Sequence, residues 1–191
     1  MKLAVLFSGG KDSTFATFLA KKLGYQISCL ISIVSQNKDS FMFHTPSIEQ
    51  TKKQAEAMNL PLIIQKTPGV KESELIDLER AIKLAIKQYQ IEGIVTGAVG
   101  SIYQASRIQK ICNNLGLECF NPLWQKNQIE LLKDLIKNKF KVIITSVAAH
   151  PLDRLWLGRV INTKFIDEVQ VLQEKYKINP AGEGGEFETF V

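Results

Sequence analysis

Apolar positions along this chain recur in two alternating rhythms. Residues 3–7, LAVLF, form an unbroken apolar run of strand length, after which Phe15, Phe18, Leu19 and Leu23 recur at helical spacing up to Gly24. QISCLISIV (26–34) reads as a second strand and residues 35–46 as a loop. Ser47, with Gln50 three residues on, opens a helix with a capping-box pattern, and PLIIQK (61–66) is the next strand. Leu75, Leu78, Ile82, Ile86 and Tyr89 trace one face of a longer helix that leads into the strand IEGIVTG (91–97). Ser101 and Gln104 repeat the capping pattern before a helix ending near Gly116, with Ile108, Ile111, Cys112 and Leu115 as its buried stripe. Residues 117–120 form a short fifth strand. Strands alternating with helices predict an α/β fold: a parallel, doubly wound sheet covered on both faces.

The rhythm breaks at Asn121. NPLWQKN (121–127) precedes a helix over about 128–138, an apolar strand FKVIITSVA (140–148), the stretch AHPLDRLWLGR (149–159), a helix over about 164–176 and the ending NPAGEGGEFETFV (179–191). The expected organisation is therefore a domain over residues 1–121 followed by a smaller C-terminal α+β region over 122–191.

Composition narrows the function class. With 191 residues, 45% of them apolar and 23% charged, the chain suits a water-soluble globular protein. No apolar run reaches the length of a membrane span, and the N-terminus enters a strand directly without a signal-peptide layout, so a cytoplasmic enzyme is the default expectation. Cys29, Cys112 and Cys119 are odd in number and lack metal-ligand spacing, which points to reduced, mostly buried thiols. A net charge of +5 admits an acidic partner, but no basic block or basic-aromatic cluster accompanies it, so stable nucleic-acid binding is not expected.

The turn after the first strand carries the clearest chemistry. In FSGGKDST (7–14), Gly9 and Gly10 free the backbone for unusual conformations and close approach, and the helix that follows offers unpaired N–H groups and a partial positive charge. Lys11 adds a cation, while Ser8 and Ser13 add hydroxyl donors. The spacing is not that of the familiar P-loop, which places a Ser or Thr after the lysine where this chain has Asp12. A carboxylate in an anion site calls for a cation between them, so Asp12 suggests Mg²⁺ bridging to phosphate oxygens; the alternative is a first-turn acid favoured by the helix dipole. Gly97 and Gly100, in TGAVGS (96–101), either leave space for a nucleotide or simply make a tight turn. Tyr103 and Arg107, four apart on the following helix, project together from its unburied face, as a reader of a carboxylate, phosphate or quaternary cation or as solvated surface. In the ending, Gly184 and Gly185 stand among Glu183, Glu186 and Glu188, whose carboxylates would line a polar pocket, bind a cation or lie exposed on a strand. His44 and His150 have no partner at triad or metal spacing and read as loop residues.

SGGKDS resembles the PP-loop of the ATP pyrophosphatase superfamily, whose fold has strand order 3-2-1-4-5 and places SGGKDS opposite TGAVGS at the reversal of strand order. Together with MFHTP (42–46), EGIVTGAVGSIYQASR (92–107), NPLW (121–124), LDRLWLGR (152–159) and GEGGEFET (182–189), it resembles the diphthine-ammonia ligase family over nearly the full chain. The resemblance implies ATP-dependent amidation of the diphthine carboxylate on translation elongation factor 2, with ammonium as nitrogen donor, ATP and Mg²⁺ as cofactors, and an acyl-adenylate intermediate giving AMP and pyrophosphate. It implies ATP contacts at Ser8, Gly9, Gly10, Lys11, Asp12, Ser13 and Gly97, with Asp12 as metal ligand and Lys11, Asp12 and Glu186 as catalytic residues. It further implies substrate contacts at Tyr103, Arg107, Trp124, Glu183, Gly184, Gly185, Glu186 and Glu188; Trp156 and Gly158 match a looser stretch. Family members continue with another apolar segment past the position of Val191, so the glutamate-bearing strand is expected to be incomplete here. A homodimer is compatible with this reading. Another PP-loop enzyme, such as one modifying tRNA, and a non-catalytic nucleotide-binding protein are the alternatives.

Overall fold

The structure is a computed structural model that describes residues 1–35, 48–70 and 73–191. Two compact units divide the chain, Met1–Pro122 and Leu123–Val191. The first alternates strands and helices throughout: β1 (Lys2–Leu6), α1 (Lys11–Lys22), β2 (Gln26–Ser35), α2 (Ile48–Ala57), β3 (Leu62–Thr67), α3 (Ser73–Tyr89), β4 (Gly93–Val95), α4 (Ile102–Leu115) and β5 (Glu118–Phe120). All pairings are parallel and the order is β3-β2-β1-β4-β5, the order implied by the resemblance. The MFHTP stretch, His44 and the Ser47 cap lie outside the described residues.

Central strands are apolar on both faces because helices cover both. Leu3, Ala4 and Val5 of β1 are fully buried, as are Cys29 and Leu30 of β2 and Ile94 and Val95 of β4. The α3 stripe lands as its periodicity dictates: Leu78 and Ile82 are fully buried, with Leu75, Ile86 and Tyr89 packed against the same core. On α1 the buried face is instead Phe15, Ala16, Thr17 and Ala20, while Phe18 and Leu19 are half-buried and Leu23 is 64% exposed. Leu23 caps the helix end, and Gly24 turns the chain away with φ of +86°. Ser101 caps α4 by accepting from the Gln104 amide at 3.3 Å, and Gly116 closes that helix in the left-handed region. The fourth strand is three residues long, shorter than the stretch 91–97 read as strand, because pairing with β1 and β5 ends at Val95.

The second unit packs α5 (Gln128–Lys137) and α6 (Thr163–Tyr176) with a two-stranded antiparallel sheet of β6 (Ile143–Val147) and β7 (Phe187–Phe190). Its core contains Leu123, Leu131, Leu132, Leu135 and Phe165, each at most 1% exposed. Phe165 meets Trp156 and Phe187 edge-on, with ring centroids 5.5 and 5.8 Å away. The chain's ending is thus tied into a core by β7. Among the described residues, no helix is long and apolar enough to cross a membrane.

Candidate active site

The loop from β1 to α1 is held in shape by its own side chains. Gly9 sits at φ +81°, and Gly10 caps α1 with extended backbone. The Ser8 amide donates to Ser13 Oγ at 3.2 Å, the two hydroxyls lie 3.2 Å apart, and Ser13 Oγ also donates to the Gly10 carbonyl. The first intrahelical bond is Thr14 N to Gly10 O at 3.1 Å, so the amides of residues 11–13 precede the helical ladder and carry the positive end of its dipole. Lys11, only 4% exposed, donates through Nζ to Asp12 Oδ2 at 2.8 Å. Asp12 Oδ1 is buried and has no hydrogen-bond partner among the described residues. An uncompensated carboxylate oxygen inside a ring of donors fits a hard cation such as Mg²⁺, which is bound through one or two carboxylates plus substrate phosphates.

The loop after β4 lies directly against this turn. A Cβ placed on Gly97 would fall 2.7 Å from the Ser13 amide nitrogen and 2.8 Å from the Asp12 carbonyl carbon. Gly97 is therefore required for backbone-to-backbone contact, a role distinct from both a nucleotide space and a tight turn. Thr96, 2% exposed, anchors the same loop: its amide donates to the Phe120 carbonyl at 3.0 Å, its hydroxyl bonds Asn121 Oδ1, and the Ala98 amide donates to that hydroxyl at 3.2 Å. β1 and β4 are neighbours where the strand order reverses, the position at which open parallel sheets bind ligands. On α4, the Arg107 guanidinium stacks 3.5 Å from the centroid of the Tyr103 ring, so the two residues do present one combined surface.

Two thiols beside this loop are in contact. Cys112 of α4 is pushed up by its hydrogen bond with Cys119 and by burial, while Cys119 of β5 is pulled below the usual thiol range by the same hydrogen bond, assisted by Asn121. The helical stripe predicts that Cys112 is buried, and it is, yet the pairing with Cys119 is not visible in that stripe.

In the second unit, Trp124 is half-buried in the turn before α5. Arg159 stacks 4.0 Å from the Trp156 ring and pairs with Glu168 at 2.6 Å. His150 meets Tyr176 edge-on at 5.3 Å. Glu186 is 8% exposed: Oε1 accepts from the amide and the side-chain nitrogen of Asn179, both at 2.8 Å, and Oε2 accepts from the Gly184 amide at 2.8 Å. Glu183 is half-exposed in the turn beside it, and Glu188 is half-exposed on β7 opposite Ser146. No group of three or more His, Cys, Asp or Glu among the described residues is arranged to hold a metal ion.

A family model described as the diphthamide synthase N-terminal domain matches residues 1–119, and one described as the diphthamide synthase C-terminal domain matches residues 127–191. The chain belongs to the diphthamide synthase family. Over its whole length it is 34% identical to a Schizosaccharomyces pombe protein named diphthine-ammonia ligase, of which it spans 34%, and 34% identical to the Mus musculus protein of that name, of which it spans 78%. A solved structure of a Methanocaldococcus jannaschii protein, described as a predicted subunit of tRNA methyltransferase, shares the fold with a TM-score of 0.53 at 19% identity, covering 100% of this chain and 96% of that one.

Within this diphthamide synthase fold, four side chains to which motif reading gives no role hold loops in place, Gln54 and Asn121 in the first unit and Gln128 and Asn179 in the second. Gln54 of α2 donates from Nε2 to the Gly9 carbonyl at 2.9 Å, and its Oε1 occupies the space a Gly9 side chain would need, 2.3 Å from an ideal Cβ. Asn121 holds Thr96, and Gln128 and Asn179 hold the C-terminal loop. All four are neutral amides. Their sequence signal is a polar residue beside a glycine-rich motif, at an element boundary or, for Asn121, at the head of NPLW, and that signal does not specify the distant partner.

Proposed function

We propose that this protein amidates the carboxylate of diphthine on translation elongation factor 2, consuming ATP and ammonium and releasing AMP and pyrophosphate. The observation that carries the reading is the loop at residues 8–13: an anion cradle at the strand-order reversal that also contains a carboxylate oxygen left for a cation. An ordinary first-turn acid exposed to the dipole would be solvated instead. Family membership and the relatives' names support the choice of substrate among reactions that split ATP at the α-phosphate.

A carboxylate resists ammonia because oxide is a poor leaving group. In the proposed reaction the diphthine carboxylate attacks the α-phosphorus of ATP, the bond to the bridging oxygen breaks, and pyrophosphate departs. Ammonia then attacks the acyl-adenylate carbonyl and expels AMP. The first-turn amides of α1, the hydroxyls of Ser8 and Ser13 and the Lys11 ammonium stabilise negative charge as it moves onto pyrophosphate. Asp12 would hold Mg²⁺, which when bound neutralises phosphate oxygens as a Lewis acid. Gly97, by letting the second loop lie against Asp12 and Ser13, keeps the cradle rigid rather than touching the nucleotide through a side chain.

Arg107, held against the Tyr103 ring, is assigned to steer the substrate carboxylate, and Trp124, Glu183 and Glu188 supply the aromatic face and carboxylates that suit the trimethylammonium group of diphthine. The test is nucleotide product analysis with Mg·ATP, ammonium and elongation factor that carries diphthine, against the same factor without the modification. AMP and pyrophosphate formed only with the modified factor, with loss of one negative charge on it, are expected. ADP, or AMP formed equally with both factors, would overturn the assignment.

A further inference from the structure

The C-terminal motif places three glycines next to three glutamates, a composition that reads as backbone opened for a ligand. Its hydrogen bonds point inward instead. Glu186 takes the Asn179 amide and side chain on one oxygen and the Gly184 amide on the other. Gln128, at the start of α5, grips the same turn from outside: Nε2 donates to Asn179 Oδ1 at 3.0 Å, and Oε1 accepts from the Ala181 amide at 3.0 Å. The Gly182 amide donates to the Asn179 carbonyl at 2.9 Å and the Gly185 amide to the Gly182 carbonyl at 3.1 Å. Pro180 has no amide hydrogen. The N–H groups of Asn179, Ala181, Gly182, Gly184 and Gly185 are therefore all spent inside the unit.

The glycines follow from that network. A Cβ on Gly184 would stand 2.7 Å from Asn179 Nδ2 and 2.8 Å from Glu186 Oε1, and Gly182 and Gly185 adopt φ of +74° and +82°. Each glycine is explained by the turn itself, before any ligand is considered.

We infer that Glu186 and Gln128 are positioning residues that build the turn at residues 179–186, and that Glu186 acts through this backbone and not as a proton acceptor. A proton acceptor must reach the atom it deprotonates, and both carboxylate oxygens of Glu186, which is 8% exposed, already accept from the turn. An anion would need free amides, and those of Asn179, Ala181, Gly182, Gly184 and Gly185 are committed within the unit. Only the kinetic part of the test rests on the function proposed above.

The test measures amide hydrogen exchange by NMR on the full chain and, separately, amidation kinetics for Glu186→Gln and Gln128→Met. Glu186→Gln is expected to speed exchange at Asn179 and Gly184 by about tenfold or more, and Gln128→Met to do the same at Ala181. In both, KM for the diphthine-bearing factor should rise by about tenfold while kcat stays within about threefold. Should Glu186→Gln fail to fold, Gln128→Met reads the same turn through a milder change. Unchanged exchange in the Glu186 and Gln128 variants, or a kcat loss of about a hundredfold in Glu186→Gln with KM unaltered, would overturn the inference. Exchange is measured without turnover, so a chain that amidates nothing would refute the proposed reaction and leave the turn's construction still decided.

Discussion

At position 97 a single methyl group decides whether the loop after β4 can lie against the start of α1. The ideal Cβ would meet backbone atoms of Asp12 and Ser13 at 2.8 and 2.7 Å, and backbone cannot swing aside as a side chain can. Gly97→Ala should therefore destabilise the protein by about 1–3 kcal/mol in urea titration and weaken Mg·ATP binding by at least about tenfold in calorimetry. Equal stability with unchanged affinity would show that the loops do not need this contact. Cys29 supplies a pH dependence of stability. It is fully buried, and burial pushes its thiol up to about 12 from an ordinary 9.0. The folded value is raised, so the contribution is fully present below pH 9.0 and is lost as pH rises through about 12, because the unfolded chain releases its proton first. The slope should approach about 1.4 kcal/mol per pH unit above that lower value, and Cys29→Ala should remove this component from the urea midpoint. Residue identities in the phosphate loop are legible in the sequence because glycine, lysine and serine at a strand-to-helix turn have a direct electrostatic meaning. Those of Gly97 and Glu186 are less so. A glycine that admits another backbone and one that admits a ligand look alike, and a carboxylate carries no mark of which amides it will meet.

Elements were legible where periodicity and end signals agree. The Ser101 cap of α4 forms as its sequence pattern predicts, and Ser101→Ala should cost about 1 kcal/mol of stability in a urea titration. No change would mean that solvent replaces the cap. Strand ends are less legible, because β4 lies inside the longer stretch 91–97 and its neighbours decide where pairing stops. The buried face of α1 shifts away from Leu23 because the helix has already ended at Lys22 and small residues, Ala16 and Ala20, let it sit close to the sheet. Helix α2 illustrates what a pattern cannot carry. Its sequence shows a polar helix, whereas its function in the fold includes one amide, Gln54, reaching 45 residues back to the Gly9 carbonyl. Gln54→Met keeps the length of the side chain and removes the donor. It should weaken Mg·ATP binding by about threefold to tenfold while costing about 1 kcal/mol of stability, the usual net value of one such hydrogen bond. A variant that binds Mg·ATP as tightly as the parent would show that Gly9 holds its conformation alone.

For the molecule as a whole, the alternation of strands and helices was enough to specify the parallel sheet, since only that architecture buries apolar faces on both sides of every central strand. The C-terminal unit was harder to read: β7 is four residues long and finds its partner β6 across some forty residues of chain that include the whole of α6. Each unit nevertheless owns a core, one around Leu3, Ile82 and Ile94 and the other around Leu123, Leu132 and Phe165. Every side chain assigned above to phosphate or metal lies in Met1–Pro122, as do Gln54, Thr96 and Asn121, which hold those loops. A fragment comprising residues 1–122 should therefore unfold cooperatively and bind Mg·ATP within about threefold of the intact protein's Kd, while releasing no AMP in the presence of diphthine-bearing factor and ammonium. Calorimetry and nucleotide chromatography on the same sample read both quantities. Binding without turnover would assign nucleotide capture to the first unit and show that turnover needs residues beyond it as well as Arg107 within it. A fragment that folds but loses Mg·ATP affinity by a hundredfold would instead require nucleotide contacts from the second unit and displace the phosphate loop as the sole determinant of binding.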